Sequence, residues 1–243
     1  GLFAMGETAQ VQLNGTTVQG CTALIASGGG MWIDGPNAQA QLNNVTVQGC
    51  ISMFGGGMSI ENGDVFLVDV SFEDCKGGFD GGAISQSVGS TLHANRVRVA
   101  RCDMSHLMSS GGNEKVSVGG AIRLDGSSTW IDSIFVDCFS GFRVLTLKGR
   151  HTLIRVTILR CHATRGEGGG VSMVGGTVTL LDSRIADSSS ASYGGCVYAG
   201  PTLSDPDTGG TLILRNTTLS NCSAREGPYV FVYSDKVEFT SEM

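Results

Sequence analysis

Apolar and polar residues alternate through short runs that recur along the chain, and each run ends in a fixed mark. LNGTTVQGC ends at Cys21, LNNVTVQGC at Cys50, LVDVSFEDC at Cys75 and ANRVRVARC at Cys102; WIDSIFVDC ends at Cys138, LIRVTILRC at Cys161 and LRNTTLSNC at Cys222. An eighth run, LDSRIADS, carries Ser188 in the cysteine slot. Period-two alternation predicts strands with one buried face. Val18, Val47, Phe72, Val99, Phe135, Ile158, Ile185 and Leu219, each three before the slot, are expected to point inward. So are Leu13, Leu42, Leu67, Trp130, Leu153, Leu180 and Leu214, eight before it.

A second half-unit is Gly-Gly followed by a small and then an apolar residue. It occurs as Gly28-Gly29-Gly30-Met31, Gly55-Gly56-Gly57-Met58, Gly81-Gly82-Ala83-Ile84, Gly119-Gly120-Ala121-Ile122, Gly168-Gly169-Gly170-Val171 and Gly194-Gly195-Cys196-Val197. Glycine pairs suit corners that need positive φ or close backbone approach. The period of about 25–29 residues is too short for a propeller blade and fits one turn of a solenoid. The predicted fold is all-β: a right-handed parallel β-helix of roughly eight to nine coils, one domain over residues 1–243, expected to be part of a longer chain. Such coils share a core that no single coil could bury.

The Gly-Gly-Ala-Ile motif on this period resembles the repeats of polymorphic outer-membrane proteins and other pectin-lyase-like β-helices. The resemblance implies a surface-displayed or secreted rod that mediates adhesion or assembly. It brings no catalytic residues with it.

Composition narrows the partners. The 243 residues carry a net charge of −6, with 37 Gly and only 4 Pro; 41% are apolar and 16% charged. No basic patch suggests nucleic acid, and no apolar run is long enough to span a membrane. No cofactor is expected. The ends of a solenoid leave strand edges that further chain or another subunit would cover; glycans are a further candidate partner.

Against this low charge content, two ladders stand out. Asp69, Arg96, Asp132, Arg155 and Asp182 lie six before the slot, and Asp74, Arg101, Asp137, Arg160 and Asp187 lie one before it. Both alternate in sign coil by coil, so each Arg is expected between two Asp about 4.8 Å away. This reads as structural pairing that penalises a slip by one coil. The competing reading is an acidic-sugar site of a polysaccharide lyase or hydrolase, which would need a free base or paired carboxylates in a cleft.

Cys21, Cys50, Cys75, Cys102, Cys138, Cys161 and Cys222 share one repeat position; Cys196 sits in the small slot after Gly-Gly. Parallel Cβ vectors on neighbouring rungs disfavour bridges along the ladder. Mostly free buried thiols are therefore expected, with room for an isolated bridge. Asn14, Asn44, Asn216 and Asn221 begin glycosylation sequons. The row Thr17, Thr46, Thr157 and Thr218 would suit ice binding, but Arg98, Ile134 and Arg184 interrupt it. Two irregular segments, 103–118 with Met104, His106 and Met108 and 200–210 with Asp205 and Asp207, are surface excursions or weak metal candidates. The expected function is a non-catalytic structural or adhesive rod at a cell surface or outside the cell; a carbohydrate-active enzyme or glycan-binding module is the alternative.

Overall fold

A computed structural model describes residues 1–104, 120–201, 209–233 and 237–242. Every strand pairing it contains is parallel, and no helix occurs among the described residues. The chain is a β-solenoid. Three-residue strands, from Thr17–Gln19 through Ser71–Glu73 to Thr218–Ser220, stack into an eight-stranded sheet, one strand per coil. Eight strands bound seven complete turns. The expected eight to nine coils are corrected to about seven because a repeat mark counts an edge, not a turn.

A 16-stranded sheet forms most of the remaining wall, with two three-stranded sheets completing it. In the early coils it has two arms, for example Met58–Ile60 and Asp64–Val68. In the middle these fuse into the long strands Leu145–Ile154 and Val171–Leu181, with a register shift between Leu147 and Gly149. At this irregularity Gly149, inside the strand, has φ 121°, and a Cβ there would strike the Gly126 carbonyl. A three-stranded sheet of Thr22–Ser27, Ile51–Phe54 and Lys76–Asp80 closes one side of the early coils. The Gly-Gly marks at Gly28, Gly55 and Gly81 link this side to the first arm.

The inward ladders hold. Val47, Phe72, Val99, Phe135, Ile158 and Ile185 are buried, as are Leu42, Leu67, Trp130, Leu153 and Leu180. Where the inner Val five before the slot becomes serine, its hydroxyl takes a backbone donor instead: Val97 N–H donates to Ser133 Oγ at 3.1 Å and Val156 N–H to Ser183 Oγ at 3.1 Å. Such partners remove the cost of burying a polar group. Ser128 and His151 stand 2.8 Å apart inside the core, with Trp130 Nε1 donating to Ser128 at 3.1 Å. Although a serine beside a histidine suggests a nucleophile and its base, both are buried, and burial pushes the imidazole down to about 4.

Both charge ladders lie at the corners flanking the short strands, and every position in them has left-handed backbone. Along the first, φ is 57° at Gly15, 53° at Asn44, 55° at Asp69, 52° at Arg96 and 45° at Asn216. Along the second it is 62° at Gly20, 61° at Gly49, 54° at Asp74, 52° at Arg101 and 51° at Asn221. Gly, Asn and Asp are the residues that visit this region most readily. Charge is thus a second layer on a backbone requirement.

Candidate functional site

The corner ladders point outward and pair as dyads. Arg96 grips Asp69 at 2.6 and 2.7 Å, and Arg101 grips Asp74 at 2.8 and 3.0 Å. Arg155 holds Asp132 at 2.6 and 3.0 Å, and Arg160 holds Asp137 at 2.7 and 3.0 Å. Each guanidinium reaches back one coil. This corrects the expectation of an Arg shared evenly by the Asp of the coils before and after it: a fork–fork pair commits the planar donors to the Asp behind, and Arg101 Nη2 adds a longer bond to Glu73 Oε2 at 3.3 Å. The Asp of the following coil, Asp132 for Arg96 and Asp182 for Arg155, acts only through longer-range attraction. The last pair of carboxylates is met by amides: Asn216 donates to Asp182 at 2.7 Å and Asn221 to Asp187 at 3.1 Å. The Arg hydrogen bonds hold Asp69, Asp74, Asp132 and Asp137 below the usual carboxylate range. All eight charged side chains of the four Asp–Arg dyads are between 37% and 53% exposed, so each pair contributes only modestly.

The cysteine ladder is interior. Cys50, Cys75, Cys102, Cys138 and Cys161 are buried and free, and Cys21 is free and half-buried. Neighbouring thiols and burial push the Cys50 thiol well above its ordinary value, and the Cys75 thiol follows from the contact with Cys102. Protonated thiols of this kind pack as small hydrophobes. The isolated bridge runs from Cys196 to Cys222, with Cα atoms 5.4 Å apart. The slot after Gly-Gly explains it. A Cβ at Gly30 would lie 3.3 Å from Cys50 Sγ, so this slot faces the cysteine ladder.

The sequons Asn14, Asn44, Asn216 and Asn221 are exposed. Met104 is buried; His106, Met108, Asp205 and Asp207 lie outside the described residues. No group of three His, Cys, Asp or Glu is placed to hold a metal among the described residues, nor is any helix long and apolar enough to cross a membrane.

A different surface gathers polar chemistry. The residues following each Gly-Gly mark alternate inward and outward, which puts Ser59, Ser85 and Arg123 in one outward row by strand register. Ser27, Phe54 and Asp80 form a row on the side sheet. Between them lies a cleft of about 280 Å³, also lined by Glu61, Gln86, Ser87 and Asp125. Arg123 is its hub. Nη1 donates to both Asp80 oxygens at 2.7 and 2.9 Å, while Nε and Nη2 donate to Asp125 Oδ2 at 3.0 and 2.6 Å. Burial opposes its charge, but the two carboxylates more than offset this and raise its pKa. Burial also pushes the Asp80 carboxyl up, against the pull of Arg123. Ser27 donates to Glu61 at 2.7 Å. Phe54 is 39% exposed and stacks on Phe79 with centroids 5.8 Å apart.

Sequence reasoning did not single out this cleft. Its signal was an acid at one fixed offset past the Gly-Gly mark, at Asp34, Glu61 and Asp125. The same row continues through Thr146 and Ser172 to Tyr198; Arg143, just before the strand at Leu145, pairs with Glu167 at 3.0 Å and lies over the Tyr198 ring at 5.9 Å. No known protein family, curated protein or solved structure matches the chain.

Proposed function

We propose that the chain is a non-catalytic adhesive rod of a cell surface or extracellular assembly, which grips a glycan in the Glu61–Asp80–Arg123–Asp125 cleft. The observation that carries this reading is the state of Arg123. Its donors are engaged by two carboxylates, so both acids are held in a fixed frame. A frame of that kind orients a ligand, whereas turnover of an acidic sugar calls for a free base and a cation offered to the substrate.

The Cys196–Cys222 bridge supports an oxidising compartment, and exposed Asn44, Asn216 and Asn221 suit a glycoprotein. Exposed Phe3, Leu24 and Ile25 in the first coil, and Tyr229 and Tyr233 in the last, support coverage of the rod's ends by further chain or another subunit. The resemblance to pectin-lyase-like repeats is part of this proposal and rests on the Gly-Gly motif alone.

One observation favours an enzyme. A raised Asp80 carboxyl is what a general acid requires. Incubation with neutral and acidic polysaccharides separates the two: the rod binds without cleavage, while turnover lost in Asp80→Asn would establish a carbohydrate-active enzyme.

A further inference from the structure

The second arm of the 16-stranded sheet presents a broad outward face. Eight strands, from Gln10–Asn14 through Asp64–Val68 to Gly210–Arg215, stack there in register. One outward column reads Gln39, Asp64, Thr91, Ser127, Arg150 and Thr177 along the coils. Asp64 and Arg150 are its only charges over these eight strands, and neither side chain has a partner among the described residues. The corner arginines differ, because each of them grips an aspartate. The rest of the face is apolar for a surface. Phe66 is 38% exposed and stacks on His93 with centroids 5.0 Å apart. Val68, Ile131, Ile154 and Leu181 share a half-buried outward column beside the first corner ladder. A hollow of about 110 Å³ opens among Phe66, Val68, His93, Asn95, Thr129 and Ile131.

We propose that this face docks a second copy of the chain, with the two solenoid axes antiparallel. Asp64 and Arg150 lie three coils apart, with Thr91 and Ser127 between them. A two-fold axis along the strand direction, passing between Thr91 and Ser127, keeps each column on itself and reverses the order of the coils. It sets Asp64 of each copy opposite Arg150 of the other, twice per dimer. The same operation sets Val68 opposite Ile154 and brings Ile131 of the second copy over the hollow beside Asn95. Such reciprocity is what a two-fold interface requires. A slip by one coil would leave both charges without a counter-charge, so the charges fix the register. Aligned sheets pack in this way about 10 Å apart. Rungs about 4.8 Å apart and residues about 3.3 Å apart make the patch about 38 Å by about 16 Å. Two such patches bury on the order of 1,200 Å² together, enough for a specific but weak dimer. The inference does not rest on the glycan-binding reading; it pairs the rods side by side through a different face.

Sedimentation equilibrium of the intact chain over a micromolar concentration series tests it. A reversible monomer–dimer equilibrium is expected. Arg150→Asp and Asp64→Arg should each raise the dimer Kd about tenfold or more, because attraction becomes repulsion at both contacts. The double variant Asp64→Arg/Arg150→Asp restores opposite charges across the two-fold and should return the Kd to within about threefold of the parent. That rescue separates a lost contact from a misfolded chain. Arg155→Gly on the corner should leave the dimer unchanged. A monomer at every concentration would overturn the proposal. So would a dimer that ignores the single reversals, or one that the double variant fails to restore. Species that grow beyond a dimer and are unaffected by the reversals would overturn it in favour of end-to-end pairing.

Discussion

Arg101 offers a sharp test of why the corners are built as they are. Its backbone has φ 52° and its guanidinium grips Asp74 at 2.8 and 3.0 Å. The two side chains are 47% and 43% exposed, so the pair contributes about 0.2–1 kcal/mol after solvent screening. Left-handed backbone costs a residue with a Cβ about 1 kcal/mol, and glycine almost nothing. Arg101→Ala loses the pair and keeps that cost; it should destabilise by about 0.5–1 kcal/mol. Arg101→Gly loses the pair and removes the cost, set against a larger loss of chain freedom on folding, so it should fall within about 0.5 kcal/mol of the parent. The alanine variant should therefore be less stable than the glycine variant by about 0.5 kcal/mol, reversing the usual order of these residues. Urea midpoints at 25 °C, in low salt and in 1 M salt, measure the difference. Salt should narrow the gap between parent and glycine variant but leave the glycine–alanine gap intact. An alanine variant as stable as the glycine variant would refute the argument that backbone conformation selects the corner residues.

Two further outcomes follow from the core and the bridge. His151 titrates near 4 when folded and near 6.5 when unfolded. The unfolded chain therefore takes up its proton first as pH falls, and stability should drop by about 3 kcal/mol between about pH 6.5 and pH 4. His151→Leu should flatten that part of the profile in pH-dependent urea melts, and an unchanged slope would contradict the burial argument. The Cys196–Cys222 bridge closes a separation of 26 residues, which corresponds to about 3.5 kcal/mol of constrained chain entropy. Paired Cys→Ser variants should lose stability in the last coil first, seen as earlier proteolysis after residue 196 with the first coils still protected; uniform protection would refute this.

The coils were legible because period-two alternation and a mark per turn are local signals. Phe72, Val99 and Ile158 could be assigned inward from spacing alone. The corners were legible only in part. The alternation of Asp and Arg drew the eye, yet Gly15, Gly20, Asn44, Gly49, Asn216 and Asn221 occupy the same positions, and only backbone conformation unites all of them. The electrostatics explain which Asp an Arg grips, not why the position is polar. The bridge was half legible: Cys196 stood out as the cysteine off the ladder, but its partner followed from how the small slot faces the ladder in three dimensions. The cleft was not legible, because Phe54, Asp80 and Arg123 come from three successive coils, with residues 105–119 intervening before Arg123. Lateral stacking brings them together, and no fixed sequence spacing records it.

The central claim is that the cleft is the binding surface and the corner ladders are structural. Glycan-array binding of four variants tests it most directly: Asp125→Asn and Glu61→Gln in the cleft, Arg96→Gly and Arg155→Gly on the corners. The account predicts that the cleft variants lose the array signal of the parent chain while both corner variants retain it. Loss of signal in the corner variants with the cleft variants unaffected would contradict it.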